Sequence, residues 1–384
     1  MRAATTQELA AAASSSEADA IERSCSDAVQ ALEGEVGLLI AFASGELDYD
    51  AGAEALERAA GGAPAAGMTG KGLMSEGGPV DEGCVAIAFG RDVSAALGRR
   101  VDASSDLRAA GHDATKEALE GLGADADMVI LFIDSTRGDI ADTVSGAYQA
   151  AGPSVPLAGG AAGGPDKRHL THGEATPDSV VAVALAADCQ LSMGNTQSCR
   201  LRGEPSIVTR SEGQRIEEID GRPAEEVYLE QLGLTGVALD DEEFEKLSIT
   251  HPLAQPELHG DVRLRHVLGR TGDGAILSGS HIPPSAAIEF TELGFEDLLS
   301  SGERSVNEAA AGLAGAPPRA ALVFNCAGRR RALRDGLGEE VAAITSALGS
   351  PPPPLAGLYT HGEVARLQGA KGDRNHAVVT VVFG

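Results

Sequence analysis

The sequence contains no tryptophan, only 3% aromatic residues and only five lysines among its 384 residues. It has no run of about 18 or more apolar residues, so it predicts no transmembrane helix. The first 20 residues carry acids and lack a basic start followed by an apolar core, which argues against a secretory signal. We therefore expect a cytoplasmic protein with no membrane insertion.

Paired cysteines are also lacking. The five cysteines are widely spaced, odd in number and form no Cys-x-x-Cys motif. This pattern favours reduced thiols in a reducing compartment over disulfides or a structural zinc site. The nine histidines are scattered without the carboxylate spacing of a metal site. The sequence therefore predicts neither a metal nor a cofactor.

Positive charge is scarce overall. The 57 acidic residues outnumber the 30 basic ones, and the net charge is −27. With few lysines and acids spread along the chain, this balance is typical of a halophilic protein, in which salt screens self-repulsion. An ordinary acidic mesophilic protein is the alternative. Either way, the basic surface that nucleic acid requires is missing, and the short cluster at 328–334 does not replace it.

What the sequence does contain is an internal repeat. Three times, an apolar strand is followed by a helix, then by the pattern Pro-x-Ala-Gly-x-x-x-x-Gly, then by another strand. The three patterns begin at Pro64, Pro156 and Pro354. Proline fixes φ at the entry to a strand, and glycine permits positive φ or close approach of the backbone. These loops are therefore candidates for ligand contacts, and structural turns are the alternative. The predicted strands are 37–44 and 84–90, 128–134 and 179–186, and 321–328 and 376–384.

A different region, about 187–320, separates the second and third copies. It predicts strands with tight turns, a helix beginning near Pro223, and one or two further helices. The stretch GRTGDGA (269–275) lacks the Gly-Lys-Ser/Thr of a phosphate-binding loop. We interpret it as a hairpin turn at Gly272-Asp273-Gly274.

Four segments carry a resemblance to a known family. They are SIVTRSEGQRIEEIDGRPAEEVYLEQLG, IPPSAAIEF, ALVFNCAGRR and LAGLYTHGEVARL, with Asn375 before the last strand. In this order they resemble the FIST family, in which a FIST N domain precedes a FIST C domain, and PLAGGAAGG resembles the element that closes the N-terminal half. The resemblance runs from about residue 35 to the end. It implies a flexible segment or helix at 1–34, a FIST N-like domain at 35–205 and a FIST C-like domain at 206–384.

The resemblance implies a sensory role in intracellular signal transduction. FIST domains resemble small-molecule input modules, with amino acids or related carboxylates as the suggested ligands. A sensor without an output domain of its own would act through a signalling partner protein. Two alternatives remain open, namely a hydrolase or transferase that uses Cys326 and a scaffold that binds only another protein.

The motif residues supply the candidate ligand site. Arg329 offers a fork that matches a carboxylate, and Glu363 could hold the ammonium of the same amino acid. The Asn375 amide could hydrogen-bond to either the carboxylate or the ammonium of the ligand. The Tyr359 ring could form an apolar wall of the site and its hydroxyl a polar contact. A salt bridge between Arg329 and Glu363 is the alternative. The complete candidate set is Arg329, Tyr359, Glu363, Asn375, Gly357, Gly362, Gly159, Gly160 and Cys326.

Cys326 is the only catalytic candidate. A guanidinium three residues away would lower its pKa, and His361 is the nearest candidate base. The alternative is a small buried residue at the end of a strand. Glu339 and Glu340, in the following helix, are expected on the surface.

The predicted fold class is α/β. Repeated β-α-β-β units should form mixed sheets flanked by helices, and a layered αββα sandwich is one arrangement of them.

Overall fold

The computed structural model describes residues 8–134, 136, 138–257, 262–367 and 371–384. Within these residues, three mixed sheets have six strands each, and a further sheet of eight strands is antiparallel. Helices cover the sheets. The predicted α/β class with mixed sheets flanked by helices is confirmed.

The repeat is structural as well as sequential. Each copy consists of a strand, a helix, a second strand parallel to the first, a short hairpin, and a last strand antiparallel to the first. The first copy contains β2 (Val36–Ser44), α2 (Tyr49–Ala60), β3 (Ala65–Thr69), β4 (Leu73–Ser75), β5 (Gly78–Val80) and β6 (Gly83–Gly90). The second contains β8 (Met128–Ile133), α4 (Ile140–Ala151), β9 (Leu157–Ala161), β10 (His169–Thr171), β11 (Glu174–Thr176) and β12 (Ser179–Ala187). The third contains β22 (Ala320–Cys326), α8 (Ala327–Leu333), α9 (Leu337–Leu348), β23 (Leu355–Thr360), β24 (Glu363–Arg366), β25 (Asp373–Arg374) and β26 (Val378–Phe383).

Capping residues mark the starts of helices α2 and α4 and the end of α2. The Asp48 side chain accepts a hydrogen bond from the Ala51 amide at the start of α2, and Asp139 does the same for Ala141 at the start of α4. Such caps satisfy amides that the first turn leaves unpaired. Gly61 ends α2 in the left-handed conformation.

A flanking strand and helix extend each repeat sheet. These flanking elements are β1 (Ala10–Ser15), α1 (Ala20–Ala31), β7 (Val93–Val101), α3 (Leu107–Leu122), β13 (Leu191–Thr196) and α7 (Phe295–Ala311). The flanking strands pair with the last strand of each repeat, β1 with β6, β7 with β12 and β13 with β26. The described part of segment 1–34 thus holds a strand and a helix that pack on the first sheet.

The three repeats exchange their hairpins cyclically. Hairpin β4–β5 of the first copy pairs with β23 of the third, β10–β11 of the second pairs with β3 of the first, and β24–β25 of the third pairs with β9 of the second. Each sheet is therefore completed by a different repeat. The result is a pseudo-threefold arrangement in which no repeat has a complete sheet of its own.

The inner faces of the three sheets share one core. Phe42, Phe132 and Phe324 occupy equivalent positions in β2, β8 and β22, and their ring centroids lie 5.7–6.4 Å apart. Each outer face packs against its own helices in a separate cluster. The sequence left open a layered αββα sandwich of two sheets as one possible arrangement. The structure instead has three repeat sheets around a common core.

The eight-stranded sheet, here called the inserted sheet, lies between β13 and α7 in the chain. Its strands are β14 (Arg200–Glu212), β15 (Arg215–Ile219), β16 (Arg222–Pro223), β17 (Leu253–Pro256), β18 (Val262–Arg265), β19 (Val267–Arg270), β20 (Ile276–Ser278) and β21 (Ala287–Glu292), and its helices are α5 (Ala224–Gln231) and α6 (Asp241–Thr250). The predicted hairpin at Gly272–Gly274 is confirmed, because β19 pairs with β20 across it. Among the described residues, no helix combines the length and apolar character needed to cross a membrane.

Candidate functional site

The three Pro-x-Ala-Gly loops meet in a ring of backbone hydrogen bonds. In each loop, the residue directly before the last glycine of the pattern donates a hydrogen bond from its backbone amide to a backbone carbonyl of another repeat. The bonds run from Lys71 to Tyr359 (2.8 Å), from Gly163 to Thr69 (2.9 Å) and from His361 to Ala161 (3.0 Å). Lys71, Gly163 and His361 are therefore equivalent residues around the pseudo-threefold arrangement.

The last glycine of each pattern turns the chain out of this ring. Gly72, Gly164 and Gly362 have φ values of 103°, 87° and 130°, a region that other residues rarely adopt. The repeated glycine thus reflects a turn that all three copies share. In each repeat, this turn leads the backbone from the ring into the hairpin.

A cavity of about 760 Å³ opens between the ring and the inserted sheet. Lys71, Lys167 and His361 come to its wall from the loops of the first, second and third copies. The inserted sheet and its helices contribute a second wall, which includes His266 and Leu268. The cavity is therefore built by all three repeats and by the insertion together, as expected of a ligand site at a junction between structural units.

The charged residues of this wall are mostly basic. Lys71, Lys167 and Arg331 line the cavity, and Glu245 is the acid among the lining residues that the structure describes. Glu245 already forms an ion pair with Arg331. Among the described residues, neither Lys71 nor Lys167 has a carboxylate within ion-pairing distance. The chain has only five lysines and a net charge of −27, so two lysines on one cavity, neither with a carboxylate partner in the described part of the chain, make this wall locally positive.

The histidines on and behind the wall have lowered pKa values. Burial lowers the pKa of His361 to about 4, with Lys167 and Lys71 adding to the effect, although the ring remains accessible from the cavity. Burial likewise lowers the pKa of His266 to about 4. Its Nδ1 lies 2.9 Å from Nε2 of His376, whose pKa burial also lowers. Within the described ranges, no three His, Cys, Asp or Glu side chains form a group that could hold a metal ion.

Asn375, Gly362 and Cys326 are the sequence-predicted site residues that line the cavity. The Asn375 Oδ1 accepts a hydrogen bond from the His266 amide (3.2 Å) and so ties the last repeat to the inserted sheet. Cys326 is 7% exposed, and burial raises the pKa of its thiol well above the usual value. A thiol in this state is a poor nucleophile.

Arg329 lies behind the cavity wall. It is fully buried, and its guanidinium donates to Glu340 (2.6 Å), to Asn325 Oδ1 (2.9 Å) and to the Leu298 carbonyl (2.8 Å). The expectation that Glu340 lies on the surface is wrong, because this carboxylate is fully buried as the partner of Arg329. The ion pair also replaces the predicted alternative of a bridge between Arg329 and Glu363.

Glu363 and Tyr359 are likewise internal. Glu363 is fully buried and accepts hydrogen bonds from the Thr360 hydroxyl and the Ala377 amide, both at 3.0 Å. Burial raises the pKa of this carboxyl to about 8. The Tyr359 hydroxyl donates to Glu340 (3.0 Å). Neither side chain reaches the cavity wall.

The remaining predicted glycines serve close packing. A Cβ on Gly357 would lie 2.4 Å from the Met74 side chain, one on Gly160 would lie 2.7 Å from Thr360, and one on Gly159 would lie 2.1 Å from the Leu131 carbonyl oxygen. All three belong to the strands of the central sheets rather than to the cavity wall.

Sequence reasoning missed the two lysines. Lys71 lies inside the first Pro-x-Ala-Gly loop, and Lys167 follows the second loop by three residues. The rarity of lysine in the chain, and the positions of these two in or just after the repeated loops, would have singled them out. Of the other lysines, Lys116 and Lys246 form ordinary helix-surface pairs with Glu120 and Glu242.

Comparison with known proteins agrees with the resemblance seen in the sequence. The FIST N domain model matches residues 37–222, and the FIST C domain model matches residues 224–366. An uncharacterized protein of Mycobacterium tuberculosis (strain H37Rv) is 30% identical over 228 residues, which cover 56% of this chain and 58% of the relative. An uncharacterized protein of Mycobacterium bovis is 30% identical over 185 residues, 45% of either chain. The chain thus matches only about half the length of these relatives.

A solved structure of cyanuric acid hydrolase from A. caulinodans aligns with 97% of this chain and 98% of its own, at 11% identity and a TM-score of 0.33. FIST domains are associated with sensing in signal transduction. With its two domain matches in the expected order, the chain belongs to the FIST family, as a FIST N domain followed by a FIST C domain.

Proposed function

We propose that this protein is a sensory module that binds a small carboxylate-bearing metabolite in the cavity between the ring of loops and the inserted sheet. The observation that carries the proposal is the pair Lys71 and Lys167, which two repeats bring to one cavity and which have no carboxylate partner among the residues that the structure describes. An ammonium group that lacks a carboxylate partner inside a concave site gains most from an anionic ligand.

The ligand anchor therefore moves from Arg329 to the lysines. Arg329 already has a carboxylate partner and lies outside the wall. The amide of Asn375, the backbone at Gly362 and the Cys326 side chain complete the proposed site from the third repeat. The loops supply both the cations and the turns that place them.

The cavity also suggests how binding becomes a signal. Its walls belong to two parts of the molecule, the repeat core and the inserted sheet, and the ligand would contact both. A ligand that contacts both parts stabilises the arrangement in which they are closed, and it shifts the population toward that state. A cytoplasmic signalling partner that distinguishes the two arrangements would receive the output.

The test is a thermal-shift screen of small carboxylates on the wild type and on a Lys71→Gln/Lys167→Gln variant. We expect a carboxylate to raise the midpoint of the wild type by mass action, by an amount that grows with ligand concentration, and to leave the variant unchanged. Lys116→Gln/Lys246→Gln is the matched control, because it removes the same charge from helix surfaces. Equal shifts in all three proteins, or none in the folded wild type, would refute the proposed site.

We also propose that the protein works in a cytoplasm of high salt. The observation is the net charge of −27, with acids spread along the chain. Screening of this self-repulsion should make the free energy of unfolding rise with KCl up to molar concentration. Urea unfolding at increasing KCl measures this, and a stability independent of salt would contradict it.

A further inference from the structure

We propose that the ligand is a dicarboxylate with an aliphatic spacer and no amino group. This inference rests on the proposed function, since it names the ligand class of the same cavity. Such a dicarboxylate differs from an acidic amino acid of the same length in one chemical group, the ammonium. The residues that line the cavity decide whether that group would find a partner of opposite charge.

Among the described residues of the wall, the carboxylate that could receive an ammonium group is that of Glu245. Glu245 is engaged by Arg331. Glu363, the residue that the sequence had offered for an ammonium, has no exposed surface and is held by Thr360 and Ala377. Asp139 caps α4 and accepts a bond from the His281 amide (2.7 Å). Within the described residues, the cavity thus offers an amino acid no unengaged carboxylate.

Two separate cations favour two separate anionic groups. Lys71 and Lys167 come from different repeats, and each lacks a carboxylate partner among the described residues. A monocarboxylate carries one negative charge, which balances the charge of one lysine but not of both. An amino acid would in addition place its ammonium group in the positive field of both lysines, which is unfavourable. A dianion satisfies both cations without this repulsion.

The apolar part of the wall fits a hydrocarbon spacer. Ile140, Ile249 and Leu268 line the cavity together with the lysines. Leu268 is 52% exposed, so its aliphatic side chain is available to a ligand in the cavity. Methylene groups between two carboxylates would remove this surface from water. The cavity of about 760 Å³ leaves room for a chain of several carbons.

The experiment compares ligands that differ by one group. Calorimetric titrations of the full chain would use the dicarboxylates from succinate to adipate, the amino-dicarboxylates aspartate, glutamate and 2-aminoadipate, and the monocarboxylates butyrate and hexanoate. We expect at least one dicarboxylate to bind about tenfold more tightly than the amino acid and the monocarboxylate of the same length. The Lys71→Gln/Lys167→Gln variant should lose this preference, and Lys116→Gln/Lys246→Gln should keep it.

The possible failures are distinguishable. If an amino-dicarboxylate binds as tightly as its matched dicarboxylate, or more tightly, the ligand class is wrong while the proposed carboxylate site stands. Tight binding of the monocarboxylates alone would overturn the class in the same way. If none of these compounds binds to protein shown by circular dichroism to be folded, the ligand class and the proposed function fail together.

Discussion

Replacement of Arg329 by methionine should destabilise the protein by about 3–5 kcal/mol, because it leaves the Glu340 carboxylate buried without its cation. Both side chains of this pair are fully buried. The Tyr359 hydroxyl would remain as a neutral donor to Glu340, and it cannot offset the lost charge. The measurement is urea unfolding of wild type and variant at the same salt concentration.

A second variant separates the ion pair from simple loss of packing. In Arg329→Met/Glu340→Leu both charges are gone, and we expect most of the stability to return, since apolar replacement of a buried pair is often neutral. Carboxylate binding in this double variant should match that of the wild type, because neither residue reaches the cavity. A stable Arg329→Met protein that no longer binds carboxylates would instead restore Arg329 as the ligand anchor.

Gly159→Ala should have the second large effect, a loss of about 3 kcal/mol or more. Gly159 has a φ of 132°, and an added Cβ would lie 2.1 Å from the Leu131 carbonyl oxygen of the neighbouring strand. The backbone conformation and the contact both oppose a side chain, and Leu131 belongs to a central strand that cannot easily move.

Gly61→Ala is the control for the backbone conformation alone. Gly61 ends helix α2 with a φ of 60°, and an added Cβ would meet nothing within 4 Å. Its cost should be about 1 kcal/mol. Urea unfolding of the two variants compares them directly. A Gly159→Ala protein no less stable than Gly61→Ala would show that the sheets can separate at this point.

The repeats were predictable because their signals are local. The apolar runs at 37–44 and 128–134 end at polar residues or glycine, and each following helix closes on glycine, so strand and helix were recognised without knowledge of their neighbours. The same local reasoning supplied the hairpin at Gly272–Gly274. These features need no information about distant parts of the chain.

The hairpin exchange and the site were not predictable in this way. Strands β4 and β10 have three residues each, too few for a periodic pattern, and their partners belong to other repeats. The sequence predicts Arg329 as a ligand anchor and Glu340 as a surface charge, and only the packing of α8 and α9 against α7 buries them as a pair. Lys71 and Lys167 are 96 positions apart in the sequence (167 − 71), and the cyclic arrangement alone brings them to one cavity.

The central claim is that a ligand binds where the three repeated loops converge. Amide hydrogen exchange of the wild type, with and without a bound dicarboxylate, tests this claim most directly. We predict slower exchange on binding in all three loops at once, at 69–72, 163–168 and 360–362, together with the facing part of the inserted sheet. Protection confined to one loop, or to a surface remote from the ring, would contradict the account.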